Sequence, residues 1–269
     1  MARLKNLTQM TGPMANISMY TRNGSDEVII RTKGGPSKKQ IKTRPEFEPV
    51  RLNNAEWAGC MKMSSQIRRA CLEMKSLEDY PVTSTLNALA KHIQKLDTEL
   101  PQGQRSIRLS HYPDLLTGLN FSQKQVLESV LRVAITASID RSTGKALIEI
   151  PTIETAINLY NGRSLPYFRI KASLAGVCDV TFDGEVKRYD YPEHNFCYKD
   201  RGVYCSDWLP TSGTVPTTTV ALDYPMILDP IPDYVTLVLC LGVEFGKNSF
   251  GSIIEPVKYS GAGKVMKCG

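Results

Sequence analysis

The stretch Tyr234-Val-Thr-Leu-Val-Leu-Cys-Leu-Gly-Val-Glu-Phe245 is long, apolar and rich in β-branched residues, which predicts the central strand of a sheet. Shorter alternating runs lead up to it at 167–174, 177–182 and 217–222. Two more, 133–139 and 146–150, flank Asp140-Arg-Ser-Thr-Gly-Lys145, the pattern of a hairpin with a longer glycine-containing loop. No helical period interrupts these runs. Short strands at turn-punctuated spacing predict an immunoglobulin-like antiparallel β-sandwich over 123–269. The proline-rich stretches 209–216 and 225–232 read as long loops between strands, and Gly261-Ala-Gly-Lys264 as part of a flexible C-terminal tail.

Upstream the period changes. Trp57, Cys60, Met63, Ile67, Ala70, Cys71, Met74 and Leu77 recur at three and four, one apolar stripe of a helix that starts near Pro45 and Pro49. Leu86, Leu89, Ala90, Ile93 and Leu96 mark a second helix over 84–97, with Ser84 as its cap. The two predict an antiparallel helical pair within 45–122, followed by a short third helix around 112–119. Residues 16–32 alternate on either side of Asn23-Gly24, two residues that tolerate positive φ, so this segment reads as a β-hairpin. The predicted class is therefore α+β: a basic hairpin arm and linker over 1–44, a helical region, then the sandwich.

Charge is unevenly placed. Residues 1–110 hold 18 Lys/Arg against 10 Asp/Glu, while 111–269 hold 15 against 17. Residues 1–44 carry nine cations against only Asp26 and Glu27, and Gly34-Gly35-Pro36 sits inside the densest tract. These cations read as a solvated linker that serves either assembly or phosphate binding.

Chemistry is hard to find. Of three histidines, His92 lies off the apolar stripe, His111 opens a loop, and His194 stands near Asp190, Glu193 and Cys197 without the paired spacing of a metal site. Seven cysteines with no CxxC pair argue against a disulfide scaffold or zinc finger. Cys60, Cys71, Cys178 and Cys240 read as core thiols and Cys268 as an exposed one. No phosphate-cradling glycine loop follows a strand. No run approaches the roughly 18–20 apolar residues of a membrane span. The N-terminus lacks the apolar core of a secretory signal, so synthesis and retention in the cytoplasm is the expected localisation, with later export left open. The expectation is a protein that is not an enzyme, with no cofactor and no metal.

Ala2-Arg3-Leu4-Lys5, Gly12, Asn16-Ile-Ser-Met-Tyr20, Lys33-Gly34-Gly35, Pro45-Glu-Phe-Glu-Pro-Val-Arg-Leu-Asn-Asn-Ala-Glu-Trp57 and Val-Leu-Cys-Leu-Gly-Val-Glu-Phe-Gly246 form a characteristic series. It resembles a family of uncharacterised proteins common in Bacteroidota genomes, which have a basic N-terminal hairpin, a helical segment and a β-rich C-terminal part. The resemblance implies a bacterial, cytosolically made protein and brings no activity with it.

Two functions follow as expectations. The first is a structural protein that self-assembles into a ring, tube or filament by donating its N-terminal hairpin to a neighbour. Its interface residues would be Ile17, Met19, Tyr20, Val28, Ile30, Arg31 and Lys33. The second is a nucleic-acid-binding protein with Lys38, Lys39, Lys42, Arg44, Arg68 and Arg69 on phosphates. A weaker third reading places a ligand on the aromatic 183–216 loops, with Tyr189, Tyr191, Tyr198, Tyr204 and Trp208.

Overall fold

Val235–Asn248 buries its first twelve residues without a break, which requires cover on both faces of one strand. The computed structural model describes residues 3–6, 9–21, 28–32, 34–192, 201–225, 230–249, 251 and 253–269. It divides into two units, 1–51 and 52–269, and mixes helices with antiparallel sheets throughout.

In the first unit β1 (Arg3–Asn6), β2 (Gln9–Met14), β3 (Ile17–Thr21) and β4 (Val28–Thr32) form a four-stranded antiparallel sheet in chain order. The expected hairpin is β3–β4, with Met19 opposite Ile30 and Thr21 opposite Val28. Its Asn23-Gly24 turn lies outside the described residues. The hairpin is not alone, because β2 pairs with the other side of β3. Gly12-Pro13 breaks the sequence pattern there, which hides the strand. The basic tract is not a flexible linker either. Ser37 caps α1 (Lys38–Thr43): its Oγ accepts from Gln40 N at 3.2 Å, and Gln40 Oε1 accepts from Ser37 N at 2.6 Å. This reciprocal capping box starts the helix directly after Gly34-Gly35-Pro36.

The helical stripe is largely as expected. In α2 (Glu48–Ala70), Cys60, Met63, Ile67 and Ala70 are buried, and the 3-10 helix Leu72–Leu77 adds Met74 and Leu77. Trp57 departs from the stripe and is 44% exposed. α3 (Val82–Leu96) begins after Pro81 rather than at Ser84 and buries Leu86, Ala90 and Ile93. The third helix resolves into two 3-10 turns, Leu109–His111 and Pro113–Leu115.

Two minor helices, α4 (Leu127–Val130) and α5 (Thr155–Asn158), accompany the strands β5 (Thr136–Asp140), β6 (Lys145–Ile150), β7 (Ile153–Glu154) and β8 (Tyr167–Cys178). Then come β9 (Thr181–Asp183), β10 (Arg188–Asp190), β11 (Arg201–Cys205), β12 (Leu209–Pro210), β13 (Thr214–Val215), β14 (Thr218–Asp223), β15 (Val235–Asn248) and β16 (Ile254–Cys268). One sheet runs β14-β6-β5 and a larger one runs β11-β8-β15-β16, with β12 also beside β8, while β9–β10 and β7–β13 form two-stranded sheets. β15 is thus a central strand. Ile170, Leu174, Leu239 and Leu241 share a core with Ile148, Val220 and Leu222 of the smaller sheet. The alternate residues Val177, Val238 and Cys240 share the other core with α2 and α3. Helices, large sheet and small sheet form three layers, so the middle strands lose their polar alternation.

The approach of the 3-10 helix depends on two glycines. Gly242 stands opposite Gly263 in the β15–β16 ladder, and a Cβ on Gly242 would lie 2.6 Å from Leu77 Cδ1 and 2.8 Å from Met74 Sδ. The expected flexible tail is therefore an ordered strand of the main sheet. Cys268, expected to be exposed, is buried on it, and burial pushes its thiol up to about 12. Cys178 is disulfide-bonded rather than a free core thiol, a pairing that sequence spacing alone does not reveal. Two short strands, β12 and β13, punctuate the expected loop 209–216. Among the described residues no helix is long and apolar enough to cross a membrane.

Candidate functional site

Two surfaces combine exposure with unusual construction, one in each unit. In the first unit, cross-strand register puts Met14, Ile17, Met19, Val28 and Ile30 on one face of the sheet, because Met14 opposes Ile17 and Met19 opposes Ile30. Met14 is 44%, Ile17 38% and Ile30 59% exposed, while Met19 and Val28 are half-buried. Tyr20 and Arg31 lie on the opposite face, where the Arg31 guanidinium sits 5.3 Å from the Tyr20 ring centroid. The interface residues expected from the sequence are thus brought together but divided between two faces. Lys33 lies outside the described residues. Lys38, Lys39 and Lys42 are exposed on α1, and Arg44 is held 3.2 Å from Glu46. Arg68 and Arg69 are exposed at the end of α2 in the second unit, so the expected phosphate contacts belong to two units.

The second surface is a cleft at a bulge of β16. Glu244 opposes Gly261 and Gly246 opposes Pro256, so two steps along β15 match five along β16. The three extra residues bend the strand outward. A Cβ at Gly261 would stand 2.0 Å from the Val243 carbonyl oxygen, and its φ of 117° adds a second reason for glycine. Tyr259 takes the left-handed conformation at φ 56° and is 61% exposed. Three adjoining recesses, of about 550, 460 and 90 Å³, meet at its side chain.

The floor is a clamped ion cluster. Glu244 is almost wholly buried and accepts from Arg169 Nε at 2.7 Å and Nη2 at 2.5 Å, while Ser76 Oγ donates to its other oxygen. Lys171 Nζ lies 3.8 Å from the same carboxylate, and Arg169 also stacks 4.5 Å from the Trp208 ring centroid. Arg169 and Lys171 are thus committed to an internal carboxylate. On the wall, Asp79 fixes a loop by accepting from Gln123 N at 2.8 Å, Ser122 Oγ at 2.7 Å and Lys124 N at 3.0 Å. Burial raises its pKa, but these hydrogen bonds outweigh it and hold the carboxyl below its usual range. The adjacent Glu78 moves the other way, because burial exceeds the opposing pull of Arg68 and Lys75.

Sequence reasoning missed this cleft. Lys75, Lys124, Arg163 and Tyr259 are far apart in the chain, and the only local signal was the Pro256 and glycine content of the final strand. The aromatic 183–216 segment instead contributes packing. Tyr189 is buried edge-on to Phe182 at 5.3 Å, Tyr191 lies under Lys62 at 4.5 Å, and Tyr204 is half-buried. Tyr198, His194 and Cys197 lie outside the described residues. Among the described residues no group of three His, Cys, Asp or Glu side chains is placed to hold a metal ion. Compared with known proteins, the chain matches no family model, no curated protein and no solved structure.

Proposed function

We propose that this protein is a non-enzymatic structural protein that assembles with copies of itself through its N-terminal sheet. The single observation behind this reading is the uncovered apolar face of Met14, Ile17 and Ile30 on a sheet whose described side chains are all at least partly exposed. A small sheet without cover gains too little burial to hold its strands, so such a face seeks a partner.

The body fits an immunoglobulin-like module. Lettering β5, β6, β8, β11, β14, β15 and β16 from A to G, the small sheet takes the order E-B-A and the large one D-C-F-G. This division, with the fourth strand moved to the second sheet, is a variant of the immunoglobulin arrangement. No strand of the set is missing. β11 also lies against β14, where a Cβ on Gly202 would meet the Asp223 carbonyl oxygen at 2.3 Å. The sandwich therefore favours a face-to-face contact over the edge-strand donation expected from the sequence.

The acceptor is the outer face of the small sheet on a second copy. Register places Leu147 at its centre between Ser138 and Ala221, with Asp140, Glu149, Asp223 and Lys145 around it. Leu147 is 37% exposed. The first unit holds ten Lys/Arg against four Asp/Glu and the second holds 23 of each, so the chain's whole +6 excess lies on the donor. A donor face on one copy and an acceptor face on the next make a head-to-tail contact, which closes into rings or continues as filaments.

The test is the mass of the nuclease-treated protein by light scattering at low and high salt, with negative-stain images. Particles far above the 29.9 kDa chain that survive high salt are expected, and Ile30→Lys or Leu147→Lys should return them to monomer. A wild-type monomer at every salt concentration sinks the proposal. The charge excess supports nucleic acid as the second reading. Under it, complexes would appear only with nucleic acid, and Lys38→Ala with Lys39→Ala would weaken them and flatten their salt dependence.

A further inference from the structure

Tyr259 is a strained surface residue of the second unit. A left-handed backbone at a bulky non-glycine residue is worth on the order of 1–3 kcal/mol of strain, and here it holds a phenol ring in solvent rather than in the core. Four separate chain segments converge on that ring. Lys75 comes from the 3-10 helix, Lys124 from the loop pinned by Asp79, Arg163 from the turn after α5, and Lys258 from the bulge itself. Arg163 Nη1 donates to the Lys258 carbonyl at 3.4 Å, which ties two of these segments together. Among the described residues none of these four cations is in a salt bridge, in contrast to Arg169 and Lys171 on the floor below.

Unpaired cations beside an aromatic face recognise an anion carried on a ring-bearing body. The remaining lining narrows the class. Gln125 and Ser260 offer an amide and a hydroxyl, and Glu78 adds a carboxylate acceptor. Sugar hydroxyls donate to such groups, whereas the phosphodiester backbone of DNA has no donor to offer them. The recesses share Tyr259 in their linings and together give room for more than one ring.

We infer that this cleft binds a carboxylated oligosaccharide, with the Tyr259 ring stacked on a sugar face and Lys124 and Arg163 on the carboxylate. Glu78 accepts hydrogen bonds from the hydroxyls. The site lies wholly within the second unit, so it stands independently of the assembly proposal.

The experiment is calorimetric titration of the full chain at low salt with a uronic-acid trimer, its neutral methyl ester and an oligothymidylate of eight nucleotides. Lys124→Ala combined with Arg163→Ala removes the two cations assigned to the carboxylate. Tyr259→Gly removes the ring while suiting the left-handed backbone, and a melting temperature no lower than the wild type's shows that each variant folds. The acid trimer should bind with a dissociation constant of about 1 mM or tighter, and the ester, the charge variant and the ring variant should each lose about tenfold or more. Failure of the acid trimer to bind, equal binding of acid and ester, or undiminished binding by folded variants would overturn the assignment. Tighter binding of the oligothymidylate, lost in the same variants, would overturn it in favour of single-stranded nucleic acid.

Discussion

The N-terminal sheet of the first unit and the large sheet of the second use the same antiparallel backbone hydrogen bonding and reach opposite ends of the burial scale. β15 in the large sheet has two neighbours and is covered on both faces, so Leu237, Leu239, Leu241 and Val243 are fully buried. β3 in the N-terminal sheet also has two neighbours, yet Ile17 and Tyr20 remain exposed. Strand pairing alone therefore supplies order without a core. Layers supply the core, and a sheet that lacks a second layer in its own unit is open to one from elsewhere.

Substitutions sharpen that contrast. The largest effect is expected at Glu56, which is fully buried where α2 meets the loop after α3. It accepts from Arg105 Nε at 2.6 Å, Arg105 Nη2 at 2.7 Å, Lys91 Nζ at 2.6 Å and Gly103 N at 3.0 Å. Glu56→Gln strands two cations and should cost about 3 kcal/mol in denaturant unfolding. A loss below about 1 kcal/mol would show that the cluster contributes little. Burial alone would raise the Glu56 pKa, but its hydrogen bonds to Arg105, Lys91 and Gly103 prevail and hold it at about 2. Because the folded value lies below the unfolded one, this stabilisation is complete above about pH 4.5. It drains away as the pH falls towards about 2, and the Glu56→Gln variant should lack that part of the acid transition.

A middle effect is expected from Gly242→Ala. The new methyl group would overlap Leu77 and Met74, lifting the 3-10 helix from the sheet at about 1–3 kcal/mol. In the N-terminal sheet Ile30→Ser should change the unfolding of dilute monomer by no more than about 0.5 kcal/mol. The same substitution should weaken assembly strongly. A large loss of monomer stability would show that Ile30 is covered within its own chain, removing the basis of the contact.

Local signals made much of this legible. The 3.6-residue stripe from Cys60 to Leu77 located the buried helical face, because a helix repeats its geometry whatever lies against it. The hairpin of β3 and β4, the hairpin of β5 and β6, and the central place of β15 followed from runs and turns in the same way. Trp57 fits the stripe by spacing yet is exposed, since periodicity names a face and the neighbouring elements decide how far it is covered. The C-terminal strand was misread as a tail because its glycines, which signal flexibility in isolation, serve here as the close-packed surface under Met74 and Leu77.

The cleft was illegible for a different reason. Lys75, Lys124, Arg163 and Tyr259 are ordinary surface residues in their own segments, and only the three-layer packing draws those segments to one place. Sequence by itself determined the local periods, the strand-rich second half and the concentration of positive charge in the first 44 residues, all properties of near neighbours along the chain. The tertiary structure alone decided which carboxylates are neutralised, which cations stay unpaired and which apolar face is left open. Those depend on residues distant in sequence meeting in space, and neither spacing nor composition encodes such meetings directly.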